Sequence, residues 1–143
     1  MPGIVVGVDG SPSSERALDW AVREAAAHHA ALTVLAVHPV LVSQWTGNPV
    51  RFPGDPTAEE EARQAAQEET NKVTGQLGDA QPASVTVKVV SGSPAAELIA
   101  ASRDADLVVV GRRGGGGFAS LLIGSVTAQV VNHAACPVAV ISV

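Results

Sequence analysis

Five short apolar runs, at residues 4–8, 32–37, 85–90, 107–110 and 138–143, constrain the fold of this chain more than any other feature. The first and fourth are nearly continuous in Val, Ile and Leu rather than alternating with polar residues, the pattern of strands covered on both faces. Between the runs lie helix starts. Ser11-Pro12, Asp55-Pro56 and Ser93-Pro94 each place an oxygen-bearing cap ahead of a proline suited to the first helical position. The first helix is predicted over 12–29, with Ala17, Leu18, Ala21, Val22 and Ala25 forming its apolar stripe. A second is predicted over 57–77, with Glu59, Glu60 and Glu61 near its positive end and Ala62, Ala66, Val73 and Leu77 turned to the sheet. A third spans 94–102, and a fourth follows Ser125. Strand and helix therefore alternate, which specifies an α/β domain with a parallel sheet and right-handed crossovers.

The 143 residues give room for one domain over 1–143 with a full core and no need of staples. Aromatics are only 3% of the chain, so that core is built from Val, Leu, Ile and Ala. A net charge of −5, with 2 Lys and 7 Arg spread along the sequence, argues against a nucleic-acid surface. A single Cys136 makes no internal disulfide and no cysteine-built zinc site. The N-terminal apolar run meets Asp9 too soon for a signal peptide, and the run at 32–42 is broken by His38-Pro39 and too short to span a bilayer. A soluble cytoplasmic protein without membrane contact is the expectation.

The fourth strand empties into Gly111-Arg112-Arg113-Gly114, and after nine intervening residues comes Gly124-Ser125, where a helix over 126–133 can begin with its N–H groups free. Glycine lets backbone come close to a ligand, and a helix start offers N–H groups to an anion. This stretch resembles the G-x2-G-x9-G-(S/T) nucleotide motif of the universal stress protein family, in its ATP-binding branch. Further matches run through Val-Gly-Val-Asp-Gly-Ser at the first strand, Gly-Ser-Pro-Ala, Asp-Ala-Asp-Leu-Val-Val-Val-Gly and Cys-Pro-Val near the end, so the resemblance covers essentially the whole chain. It implies a Rossmann-like α/β fold: one open five-stranded parallel sheet in the order 3-2-1-4-5, with helices on both faces.

In such sheets ligands bind beyond the carboxyl ends of the strands, where the winding reverses. The implied order makes the first and fourth strands neighbours there, and they end at Asp9 and Gly111. Asp9 looks like the family's acid at the first strand, able to accept from ribose hydroxyls, and it also reads as a turn-forming Asp before Gly10. Val37 matches the position whose backbone meets the adenine edge, and reads equally as a buried strand valine. Gly111, Gly114, Gly124 and Ser125 are the phosphate candidates, with Val126 in the first helical turn behind them. The Ser125 hydroxyl can donate to phosphate or reach a metal. Arg113 and Arg112 add charge or point to solvent. The implied ligand is ATP, with Mg²⁺ or Mn²⁺ as a possible companion.

Neither a Walker A loop nor a dinucleotide fingerprint occurs, since there is no Gly-Lys-Ser/Thr and the first strand leads into Val-Asp-Gly-Ser. A backbone cradle of this kind binds triphosphate and offers little to cleave it, because fast phosphoryl transfer needs a positioned base and cations on the leaving charge. No catalytic residue and no protein-built metal site is assigned. His28 and His29 close a helix, His38 borders the adenine position without an assigned partner, and His133 and Cys136 sit in a tail where capping and packing account for them. The long stretches 39–55 and 112–122 read as irregular; the first, with Trp45, Arg51 and Phe52, is a candidate lid, and the second is Gly-rich.

The first reading is an ATP-binding stress-response module whose nucleotide orders the 112–122 loop and modulates partner or dimer contacts, the protein partner being unknown. The alternatives are a slow ATPase or adenine-nucleotide transferase, and a nucleotide-free interaction dimer. The last apolar run, 138–143, lies at a sheet edge in the implied order and carries no Lys or Pro beyond Pro137; bare edges pair. The resemblance implies a homodimer through it.

Overall fold

The computed structural model describes residues 3–39, 41–42, 49–50, 56–112 and 124–142, with the backbone alone at 38, 39, 41, 42, 49, 50 and 56–58. Its elements in chain order are β1 (Ile4–Val8), α1 (Pro12–His28), β2 (Ala31–Pro39), β3 (Leu41–Val42), β4 (Pro49–Val50), α2 (Pro56–Gly75), β5 (Ser84–Gly92), α3 (Pro94–Ser102), β6 (Leu107–Gly111), α4 (Ser125–His133) and β7 (Val138–Ile141). The central sheet runs β5-β2-β1-β6-β7, all parallel. Counted among its own five strands that is the order 3-2-1-4-5, a Rossmann-like arrangement with β1 and β6 side by side at the reversal, as the sequence reading expects.

Each face of the sheet is closed by a helix pair. Val6 and Val8 of β1, Val34 of β2 and Val109 of β6 pack with Ala17, Leu18, Ala21, Val22 and Ala25 of α1 and Ala66 of α2. Val5, Leu35, Val108 and Val110 pack on the other face with Leu98 of α3 and Val130 of α4. Successive residues of β1 thus bury on opposite sides, which explains why its sequence does not alternate. Small side chains along α1 let it settle close to the strands; Ala17, Ala21, Val22 and Ala25 have no exposed surface at all.

Helix starts follow the sequence signals. Ser11 caps α1, its Oγ accepting from the Ser14 N–H at 3.2 Å, an interaction of a kind worth about 1 kcal/mol. Ser93 caps α3 ahead of Pro94, accepting from the Ala96 N–H at 3.5 Å. The histidines that close α1 are engaged structurally. His28 pairs with Glu24 at 2.9 Å, and His29 takes a left-handed conformation (φ 48°) with its Nδ1 3.1 Å from the Gln81 carbonyl.

Several boundaries differ from the sequence reading; α1 ends at His28 rather than at 29, and α2 spans Pro56–Gly75 rather than 57–77. The stretch 39–55 is not wholly irregular: β3 and β4 form a two-residue antiparallel ladder, Leu41 opposite Val50 and Val42 opposite Pro49. A pair that short leaves no periodicity to detect. β2 and β5 extend past their apolar runs because they pair along nine positions, from Ala31 opposite Ser84 to Pro39 opposite Gly92. α4 begins at Ser125 rather than Val126, with Gly124 in the cap position. The last strand ends at Ile141, and Val143 lies outside the described residues.

Candidate functional site

Beyond the carboxyl ends of β1, β2 and β6 opens a cavity of about 510 Å³, within the range of roughly 300–1,000 Å³ usual for small-molecule sites. It is the place where the sequence reading puts a ligand. Asp9 and Gly10 at the tip of β1, Val37 near the end of β2, Gly111 at the tip of β6 and Val126 in the first turn of α4 all line it.

The β1 tip is built as a tight turn. Gly10 has φ +80°, a conformation in which a side chain is strained. The Asp9 carboxylate accepts from the Ser11 N–H at 2.9 Å, and the Asp9 N–H donates to Ser14 Oγ at 3.2 Å. The turn-forming role and the cavity-lining position therefore coexist. Asp9 is exposed, held at the rim by the first turn of α1.

The β6 tip is held even more firmly. Gly111 is buried, and a Cβ there would lie 2.5 Å from Ser13 Oγ and 2.8 Å from both the Ser13 carbonyl carbon and oxygen. Glycine at 111 is thus required by the close approach of α1. The Gly111 carbonyl accepts from the buried Thr127 hydroxyl at 2.7 Å, which ties α4 to β6. Arg112 continues the joint: its N–H donates to the Ile141 carbonyl at 2.9 Å, and its carbonyl accepts from the Gly124 N–H at 2.9 Å. The Gly124 amide is therefore engaged inside the fold, and the N–H groups of Ser125, Val126 and Thr127 are the first-turn donors without an intrahelical acceptor. That helix end carries the positive pole of the dipole, and Val126 and Thr127 bring it to the cavity. Ser125 is exposed and is not among the lining residues.

Arg113 and Gly114 lie outside the described residues, as do Trp45, Arg51, Phe52 and the rest of the 113–123 segment; so does the His38 side chain.

One wall went unread in the sequence. α2 contributes Ala62, Ala65, Ala66 and Glu69 to the cavity, and α3 contributes Pro94 and Leu98. The available signal was the spacing 62, 65, 66 and 69, a helical stripe made of alanines and one acid where larger apolar residues would otherwise close the gap to the sheet. Glu69 is half-buried, and its carboxyl pKa is raised, by burial first and then by a hydrogen bond and like charge from Glu15 of α1, with Lys72 opposing. At Cys136 burial pushes the thiol pKa up, Asp106 adds to the rise, and a backbone hydrogen bond from Val108 works against it. A thiol so disposed is a poor nucleophile, in keeping with a packing role.

Among the described residues no group of three or more His, Cys, Asp or Glu is placed to hold a metal ion, and no helix is long and apolar enough to cross a membrane. Asp9 and Glu69 are the only carboxylates lining the cavity among the described residues, and no described Lys or Arg side chain lines it.

Comparison with known proteins places this geometry among relatives. The model of the universal stress protein family matches residues 2–142. A universal stress protein of Mycolicibacterium smegmatis is 37% identical over 139 residues, which cover 97% of this chain and 47% of that protein; the chain spans about half the length of the curated relatives it matches. Among solved structures, the universal stress protein UspA from Lactobacillus plantarum superposes with a TM-score of 0.75 at 26% identity, covering 98% of this chain and 97% of that one. A universal stress protein in complex with cAMP superposes with a TM-score of 0.69 at 28% identity, covering 99% and 96%.

Proposed function

This chain belongs to the universal stress protein family, and from that premise we propose that its cavity binds an adenine nucleotide. The observation that carries the reading is the meeting of an acidic strand tip and a glycine strand tip at one crevice, Asp9 and Gly111 lining the same space beside the start of α4. The base is assigned to the backbone at Val37, the ribose to Asp9, and the phosphates to Gly111, Arg113, Gly114, Gly124, Ser125 and Val126. The engaged Gly124 amide makes its contribution one of shape, leaving the donors to its helical neighbours. A related structure holds cAMP, which supports the nucleotide class.

ATP is the proposed physiological ligand, with Mg²⁺ or Mn²⁺ carried chiefly on its phosphates, since the described residues offer no ligand cluster of their own. The cavity brings Asp9 and Glu69 to the ligand and no paired base and nucleophile among the described residues, so binding that regulates partner contacts is favoured over turnover. The experiment is direct. Freshly purified protein has 2 Trp and no Tyr, so a co-purifying adenine nucleotide raises absorbance at about 260 nm conspicuously over that at about 280 nm. Mass spectrometry of the released ligand identifies it, and calorimetric titration of stripped protein with ATP, AMP and cAMP follows. Heats consistent with one site per chain are expected; absence of affinity for all three refutes the proposal.

The homodimer belongs to the same reading. β7 pairs with β6 alone among the described strands, and we assign its other edge to a second copy. Sedimentation is expected to give a dimer that Val140→Pro converts to monomer, because proline removes a ladder donor. A wild-type monomer at every concentration would dismiss the seam.

A further inference from the structure

Ser14 lines the cavity although it is only 5% exposed, and its hydroxyl is already engaged. Its Oγ accepts from the Asp9 N–H at 3.2 Å and donates to the Ser11 carbonyl at 3.1 Å. A hydroxyl has one proton to give, and here that proton stays within the turn. What Ser14 brings to the cavity is therefore a hold on Asp9 rather than a donor of its own.

The turn departs from the usual helix start in a way that places the acid. With Ser11 as cap, Ser14 occupies the third helical position, where a Glu or Gln reaches back to the N–H of the cap residue. Serine is too short for that. The Ser11 N–H goes instead to Asp9 Oδ1 at 2.9 Å, and Ser14 meets the main chain two residues further back, at Asp9. Asp9 is thus held twice, at its amide by Ser14 and at its carboxylate by Ser11, across Gly10 with its φ of +80°. The Ser14 N–H closes the ring on Ser11 Oγ at 3.2 Å. Behind the ring, Ala17, Leu18 and Ala21 fix α1 to the sheet. One bond from Ser11 does not exhaust a carboxylate, which has about four accepting positions, so an acid held in this way can accept from a sugar hydroxyl in addition.

We propose that the site selects ribonucleotides over their deoxy counterparts, and that Ser14 is the positioning residue that sets this selectivity by fixing the main chain from which the Asp9 carboxylate projects. This rests on the reading of the cavity as an adenine-nucleotide site with Asp9 at the ribose. Without the Ser14 hydroxyl the Asp9 amide loses its acceptor, the turn about Gly10 gains freedom, and the carboxylate is no longer fixed in one place. The base and phosphate contacts, assigned to β2, β6 and α4, do not depend on that bond.

Calorimetric titration with ATP, 2′-deoxy-ATP and 3′-deoxy-ATP reads the effect as a ratio of affinities within each protein, which cancels any loss common to all three ligands. Wild type is expected to bind ATP about tenfold or more tightly than the analogue lacking the hydroxyl that meets Asp9, the order associated with a hydrogen bond to a charged group. Ser14→Ala is expected to bring that ratio within about threefold of unity, through weaker binding of ATP and unchanged binding of that analogue. Ser11→Ala removes the cap hydroxyl of the same turn and retains both bonds to Asp9, so it lowers the melting temperature and keeps the ratio. In an Asp9→Ala background, with no carboxylate to place, Ser14→Ala is expected to leave the ratio as it finds it. A wild-type ratio retained in Ser14→Ala, a comparable fall in Ser11→Ala, or a further change in the Asp9→Ala background overturns the proposal and leaves the nucleotide reading standing. Equal affinity of wild type for all three nucleotides overturns the proposal together with the ribose assignment, and absence of binding by any of them overturns the nucleotide reading as well.

Discussion

Gly111→Val is expected to cost about 3 kcal/mol or more of stability, the order reached when core overpacking cannot relax. The reason lies in what a side chain at 111 would meet. Ser13 Oγ, 2.5 Å from a Cβ, can rotate away, but the Ser13 carbonyl carbon and oxygen at 2.8 Å are backbone in the first turn of α1. That turn cannot retreat cheaply, because Ala17, Leu18 and Ala21 behind it are fully packed on the sheet. Nor can β6 yield, since Gly111 is paired with Ile141 of β7 and its carbonyl holds Thr127. For a chain of this size about 3 kcal/mol lowers the melting temperature by roughly 10 °C. A melting temperature within about 2 °C of wild type would show that the helix and strand tip separate easily, and that the approach of α1 does not demand glycine at 111.

Ala65→Trp is expected to abolish nucleotide binding while leaving the fold intact. Ala65 is exposed, yet it lines the cavity, so a large side chain there has space to occupy and no packed neighbour to displace. Exchange of alanine for tryptophan costs a helix only about 0.5 kcal/mol in propensity. The indole would fill volume needed by the ligand, and a loss of about 100-fold in affinity, equivalent to about 2.7 kcal/mol, is the expected result for ATP and cAMP alike. Unchanged affinity at an unchanged melting temperature would place the ligand elsewhere. Together the two substitutions separate roles that a glycine motif merges, because one breaks the frame and the other only the occupancy.

How far the sequence carries this picture depends on the distance over which each signal acts. The strands are legible because burial on both faces forces runs of Val, Ile and Leu, as in β1 and β6, and the helix starts because Ser11 and Ser93 cap immediately before a proline. Strand order is available only through resemblance, since nothing local in β2 specifies β5 as its neighbour. The same limit hides the α2 wall: Ala62 and Ala66 read as sheet contacts, while their opening onto a cavity depends on what β1, β2 and α1 place opposite them. Glu69 shares that wall, and nothing near it in the chain marks it as facing a cavity. Gly111 reads as a glycine that lets backbone approach a ligand, whereas the backbone its missing side chain admits is that of α1. Gly124 likewise lies where the motif requires, and only the folded chain reveals that its N–H closes on Arg112.

That closure fixes where any segment between them begins and ends. The Arg112 carbonyl and the Gly124 amide meet at 2.9 Å, and Arg112 is stitched to the last strand on its other side. Both ends of any insert are thus already brought together by the frame. For a flexible insert held between those two residues, the closure entropy rises by only about 0.6 kcal/mol for each doubling in length. A library grafted between these two fixed posts would test recognition while the scaffold stays constant.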